Sequence, residues 1–278
     1  MNVHNSSNDA DHEFFKSGEL SVKGIKEGIQ GSIGRKIFFC ETVSSTNTIA
    51  AELAEKDEVE GAVVIADRQE RGRGRLGRCW VSPPGVNIYM SILLRPEIEP
   101  KHMTLITIMD AIACTLALRR VTGLNVTIKW PNDLMVSDKK LGGILTEMRI
   151  ALNRTKYAVT GIGINVNMDS DALPDIIKDV ATSVKMETGM LHSRPEIIIE
   201  ILNEIDHWYR ILKEKRKMEL LSQWKELTST LGRKVKIILG KETLTGVAES
   251  IDGEGMLVVK LPSGASRVIR DGDLTILR

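Results

Sequence analysis

The sequence predicts an α+β fold: a mixed, mostly antiparallel sheet followed by a small SH3-like β-barrel. Two observations carry this expectation. Strand-like runs between residues 61 and 167 are linked mostly as hairpins and do not alternate with helices, which argues against a repeating βαβ array. From Lys234 to Leu277 the chain becomes short β-rich runs broken by Gly240, Asp252-Gly253, Pro262-Ser263-Gly264 and Asp271-Gly272, the turn density of a small barrel. With 278 residues and a prior of roughly one domain per 150, two units are expected. We place them at residues 21–230 and 231–278, after a flexible tail over residues 1–20.

In order, a helical pattern runs from Ser21 to Ile29 and a strand from Lys36 to Glu41. Ser44 and Ser45 are suited to cap a helix over Thr46–Lys56. The buried-strand pattern Gly61–Asp67 leads into an arginine-rich segment, and Ser82-Pro83-Pro84-Gly85 then forbids a helix. Asn87–Leu94 alternates as a strand, and Pro100–Thr122 carries apolar residues at three- and four-residue spacing, as a long helix does. Strands are expected around Val126–Lys129, Leu134–Val136, Leu141–Ile150 and Lys156–Asn167, with a turn at Asn153-Arg154. Helices close the larger unit at about Pro195–Lys213 and Glu219–Thr228.

Composition narrows the function classes. Hydrophobic residues make up 42% and charged residues 27%, as in an ordinary globular protein. Aromatics at 4% are too scarce for a surface that stacks single-stranded bases. Cys40, Cys79 and Cys114 form no CxxC pair, so neither a disulfide framework nor a zinc site is expected, and a cytoplasmic location is. No membrane span is expected, because the most apolar helical stretch contains Asp110 and is too short. The polar first residues do not read as a signal peptide.

Three motifs carry chemistry. Arg68–Arg78 packs five arginines and three glycines into one segment of a chain whose formal charge is only +1. Glycine permits close backbone approach and arginine offers a planar fork for phosphate or carboxylate, so the segment reads as a loop that closes over an anion. Gly72–Gly77 matches G-x-G-x-x-G, but Trp80, Pro83 and Pro84 follow where a dinucleotide fold needs a helix N-terminus. No Walker A sequence is present. A solvated basic stretch or a nucleic-acid contact is the bland alternative for this loop.

The second motif, Lys129-Trp130-Pro131-Asn132-Asp133-Leu134 followed by Lys140-Leu141-Gly142-Gly143-Ile144, reads as a rigid aromatic corner with one amide, one carboxylate and a nearby lysine. Asp133 there either caps the turn or meets a cation, and Lys140 either ends a strand or reaches a ligand anion. In the third, Gly161-Ile162-Gly163-Ile164-Asn165-Val166, glycines at alternate strand positions suggest close approach of a ligand, or else a bulge.

Together with Ser45-Thr46-Asn47 and Gln69, and in this order and spacing from about Arg35 onward, these motifs resemble the biotin protein ligase family. The resemblance implies that biotin and MgATP form biotinyl-5′-AMP and pyrophosphate, and that biotin then passes to a lysine of a biotin carboxyl carrier domain. By resemblance, Ser45, Thr46, Asn47, Gln69, Gly143, Ile144, Gly161 and Gly163 would line the biotin site, with Arg73, Gly74, Arg75 and Lys140 around its carboxylate. Arg75, Arg78, Trp80, Lys129, Asn132, Lys140 and Asn165 would serve ATP and the adenylate. Asp133 and Asn165 are candidates for Mg²⁺, and Asp133 is also a candidate base for the acceptor amine. The chemistry would then rest on Arg73, Arg75, Lys140 and Asp133.

Three positions depart from the family pattern: Leu76 and Cys79 replace commonly basic residues, and Arg71 a small one. Too little chain precedes Arg35 for the winged helix-turn-helix of family members that double as repressors, so no operator DNA is expected as a partner. Monomer and homodimer both stay open. The nearest rival is lipoate–protein ligase chemistry, which uses a related fold; an RNA-binding module with an SH3-like end is more distant.

Overall fold

The computed structural model describes residues 20–277, so the tail expected over residues 1–20 falls, apart from Leu20, outside the described residues. A short helix α1 (Val22–Gly28), capped by Ser21 Oγ, leads to strand β1 (Ile37–Val43), helix α2 (Thr46–Glu55) and strand β2 (Val63–Gln69). Strand β3 (Ile88–Leu94) and helix α3 (Met103–Thr122) follow. The helix expected from Pro100 starts instead with a 3-10 turn at Pro100–His102, because proline at the first position favours a tight entry.

Strands β4 (Val126–Lys129), β5 (Asp133–Val136), β6 (Lys139–Ala151) and β7 (Arg154–Ile164) complete a seven-stranded sheet in the order β1-β2-β3-β7-β6-β5-β4. Its pairings are antiparallel except β1–β2, which is parallel with α2 as the crossover. The β6–β7 hairpin turns on Leu152 and Asn153, both at positive φ, the backbone that matches strand twist in a two-residue loop. β7 stops at Ile164, so Asn165–Asn167, expected as strand, leave the sheet. Helix α4 (Val184–Thr188), absent from the sequence reading, is too short to produce a periodicity.

Alternation along the strands sends Ile88, Met90, Ile92 and Leu94 to one face, where α3, α5 (Arg194–Lys213) and α6 (Lys217–Leu227) cover them. Leu93, Val64, Ala66 and Val159 pack on the other face under Ile49, Ala50 and Ala54 of α2. Burying both faces requires a continuous apolar run, and β3 is buried at every position.

Strands β8 (Lys234–Leu239), β9 (Glu242–Ile251), β10 (Leu257–Lys260), β11 (Ser266–Ile269) and β12 (Asp273–Ile276) form an antiparallel sheet ordered β11-β10-β9-β8-β12. Val235, Ile237, Leu257 and Val259 from it join the same apolar cluster as α3 and α5, so the small unit is packed on the large one. Trp130, 1% exposed, bridges them: its backbone N–H donates to Thr230 Oγ1 at 2.9 Å and its indole N–H to the Gly255 carbonyl at 3.3 Å.

Candidate active site

Strand β2 and the N-terminus of α2 meet above the glycine-bearing face of β6 and β7, and this junction builds one end of a cavity of about 300 Å³. All the residues singled out from the sequence line this cavity: Ser45, Thr46, Asn47, Gln69, Arg73, Gly74, Arg75, Arg78, Trp80, Lys129, Asn132, Asp133, Lys140, Gly143, Ile144, Gly161, Gly163 and Asn165.

Ser45 occupies the N-cap of α2, but its side chain makes no capping bond. Gln69 takes over that role, its Oε1 accepting from the Thr46 backbone N–H at 2.9 Å and from Thr46 Oγ1 at 3.1 Å. A helix N-terminus leaves its first N–H groups free, so an amide carbonyl from β2 satisfies one of them. Gln69 Nε2 donates to Ser82 Oγ at 3.1 Å, and Ser82 Oγ donates to the Trp80 carbonyl at 3.0 Å. On the far side, Ser91 Oγ lies 2.7 Å from Thr46 Oγ1 and 2.6 Å from Asn47 Oδ1. Since an amide oxygen only accepts, Ser91 donates to Asn47.

The alternate glycines, expected to mark close approach of a ligand or a bulge, line the cavity and sit against the protein's own side chains. A Cβ on Gly161 would stand 2.1 Å from Asn47 Oδ1, and one on Gly163 would stand 2.6 Å from the Trp80 indole. Both glycines make room for the protein's own side chains, which in turn wall the cavity. Trp80 packs against Gly163 on this floor and takes the Lys140 ammonium at 5.6 Å from its ring centroid.

The arginine segment is an ordered loop. Trp80 N–H donates to the Gly72 carbonyl at 2.9 Å, Gly74 N–H to the Arg78 carbonyl at 2.7 Å, and Arg75–Gly77 forms a 3-10 turn. Leu76 sits in that turn at φ 55°, a left-handed backbone costing about 1 kcal/mol or more for a bulky residue. Each arginine that faces the cavity has an oxygen partner. Arg73 pairs with Glu147 at 2.7 Å, Arg75 with Asn132 Oδ1 at 3.0 Å and with Asp271, and Arg78 with Asp273. Asp271 and Asp273 belong to the barrel, and Gly272, Asp273 and Leu274 close one wall of the cavity.

The Trp130–Pro131 peptide is cis. Asn132 after it donates to the Ile144 carbonyl at 2.6 Å, pinning the corner to β6. Asp133 lies between two ammonium groups, with Lys140 at 2.5 Å and Lys129 at 3.8 Å. Asn165, 5% exposed, donates to the Thr182 carbonyl at 2.9 Å, which leaves its Oδ1 facing only a long 3.4 Å contact from Asn87. Among the described residues no cluster of three or more His, Cys, Asp or Glu side chains is placed to hold a metal. Asp133 and Asn165 offer one carboxylate and one amide oxygen. That donor set suits a Mg²⁺ delivered on nucleotide phosphates and keeping its waters, not a resident ion in a protein cage.

Sequence reasoning missed Ser91, Ser82, Glu147, Asp271 and Asp273, and the apolar end wall of Met168, Ile177, Val180 and Ala181. Asp271-Gly272 was legible only as a turn, since nothing local in it points to an arginine 196 positions away.

Comparison with known proteins agrees with this geometry. Residues 39–167 match the biotin/lipoate A/B protein ligase family, and residues 230–273 match the biotin protein ligase C-terminal domain. The chain is 35% identical over 254 residues to the bifunctional ligase/repressor BirA of Bacillus spizizenii, covering 91% of this chain and 78% of that protein. It is 29% identical to the biotin–[acetyl-CoA-carboxylase] ligase of Mycobacterium tuberculosis, covering 89% and 91%. The solved structure of the Aquifex aeolicus biotin protein ligase in complex with biotin and ATP superposes with a TM-score of 0.74 at 30% identity, covering 88% of this chain and 99% of that one. By its sequence, its fold and both of its sheets, the chain belongs to the biotin protein ligase branch of the biotin/lipoate A/B protein ligase family.

Proposed function

We propose that this chain is a biotin protein ligase: it activates biotin with ATP to biotinyl-5′-AMP and transfers biotin to a lysine of a biotin carboxyl carrier domain. One observation carries the reading. Arg73, Arg75, Arg78 and Lys140 line the same cavity as the amide and hydroxyl groups of Thr46, Asn47 and Gln69.

In the first step a carboxylate oxygen attacks the α-phosphorus, and the bond to the bridging oxygen breaks as pyrophosphate leaves. Two anions must meet, so fixed positive charge lowers the barrier more than any acid or base does. Lys140, oriented by Asp133 and Trp80, and Arg75, oriented by Asn132, are aimed before the ligands arrive. Asp133 and Asn165 are the protein oxygens that would hold a Mg²⁺ here, and the ion would supply further neutralisation of the triphosphate.

In the second step a neutral lysine amine attacks the acyl carbon, the bond to the acyl phosphate oxygen breaks, and AMP leaves. An acceptor amine with an unperturbed pKa of about 10.4 must first give up a proton. Asp133 is our candidate to receive it, although its carboxylate already holds Lys140. Asp133→Asn should therefore slow transfer from preformed adenylate; undiminished transfer refutes that role. The loop over Arg73–Trp80 keeps water from the mixed anhydride.

We assign the chemistry to residues 21–230, with the barrel over residues 231–278 supplying the Asp271–Leu274 wall. Among the described residues no helix is long and apolar enough to cross a membrane, and Cys40, Cys79 and Cys114 are free thiols, which suits a cytoplasmic reaction. DNA and membranes are not among the partners we assign. Biotin-dependent ATP–pyrophosphate exchange tests the function. Exchange with biotin supports it, exchange with lipoate alone moves the chain to lipoate chemistry, and no exchange from folded protein refutes adenylation.

A further inference from the structure

Among the described residues, Arg73 is the one shared by the main cavity and a neighbouring open hollow of about 670 Å³, so it forms the partition between them. Glu147 lines the hollow and not the cavity. Its Oε2 accepts from Arg73 Nη2 at 2.7 Å and from Asn47 Nδ2 at 2.7 Å. Asn47 in turn is fixed by Ser91 and by donation to the Leu145 carbonyl at 3.2 Å. One carboxylate oxygen therefore ties Arg73 of the arginine loop to a side chain buried in the cavity wall.

We propose that Glu147 is a positioning residue that holds Arg73 on the hollow side of the partition, so that an incoming carboxylate captures Arg73 only by displacing Glu147. The inference rests on the biotin ligase reading. The guanidinium has five donors in a fixed fork and no acceptor, so it follows whichever anion is better placed. Glu147 opposes capture of the free acid, and it offers Arg73 a resting place once the acyl phosphate has been consumed. Both side chains are half-exposed, at 44% for Arg73 and 41% for Glu147, which keeps the pair weak enough to exchange. A buried pair would be too costly to break at each turnover.

The test is calorimetric titration of biotin into the wild type, E147Q, R73Q and the double variant. Glutamine keeps the acceptor oxygen for Asn47 and removes the charge that competes for Arg73. An exposed pair of this kind corresponds to up to roughly fivefold in an equilibrium constant, so E147Q should bind biotin about three- to fivefold more tightly. A purely structural residue gives loss on substitution, so the gain in affinity is the diagnostic sign. In the R73Q background the glutamine should change nothing. Unchanged or weaker binding by E147Q, or equal tightening without Arg73, overturns the proposal. Glu147→Ser serves for the same comparison if the glutamine variant does not fold. A wild type that binds no biotin overturns the functional reading and this inference together, whereas normal wild-type binding without the gain overturns only the inference.

Discussion

Replacing Gly163 with alanine tests the claim that the alternate glycines serve the protein's own side chains. The new Cβ would stand 2.6 Å from Trp80 Cε2 and Nε1 and 3.0 Å from Cζ2, so the indole must retreat by roughly 1 Å to reach ordinary contact. Overpacking of this kind costs about 1–3 kcal/mol. Moving the ring off Lys140 removes a cation–π contact worth about 0.5–1 kcal/mol. A total of about 1.5–4 kcal/mol is expected in urea unfolding of the ligand-free protein. Because Trp80 closes the arginine loop, a displacement of that size is also expected to lower kcat/KM by about a hundredfold. In a Trp80→Ala background the same alanine should cost less than about 0.5 kcal/mol of stability, since its collision partner is gone. If ligand-free stability is unchanged and only biotin affinity falls, Gly163 is kept for the ligand and the reasoning is wrong.

Other expectations follow from the same contacts. Asp110 is fully buried with Thr160 Oγ1 donating to it at 2.5 Å, and burial pushes its carboxyl up to about 8. An unfolded aspartate ionises near 3.9, so from there to about 8 the folded state holds the extra proton and stability falls as pH rises. Asp110→Asn should flatten this dependence and be the more urea-resistant protein at pH 8.5; parallel pH profiles for the two proteins would refute the assignment. Asp271→Asn with Asp273→Asn removes the barrel partners of Arg75 and Arg78. Each pair has one exposed partner, Asp271 and Arg78, so stability should change by less than about 1 kcal/mol, while trypsin should cut the loop several-fold faster; an unaltered cleavage rate would show that the loop's backbone bonds suffice to hold it.

Much of the site was legible because the chemistry-bearing residues come in short runs. Strand alternation fixes that Gly161 and Gly163 share a face, and the lysine and asparagine of Lys129–Leu134 follow from one tight corner. What those side chains meet was not legible. The capping of α2 by Gln69 in place of Ser45 depends on β2 lying parallel beside β1, and the roles of Asn47 and Trp80 over the glycines depend on α2 and the loop meeting β7.

The sequence by itself determined the inventory: an arginine–glycine loop, an aromatic corner with its lysines, and the strand runs of a mixed, mostly antiparallel sheet. These are properties of neighbours within a few tens of residues, where periodicity and turn chemistry act. Only the tertiary structure decided which anion each arginine holds, Glu147 for Arg73, Asp271 for Arg75 and Asp273 for Arg78, across separations of up to 196 residues. The physical reason is that an ion pair depends on distance in space and carries no periodic signature along the chain.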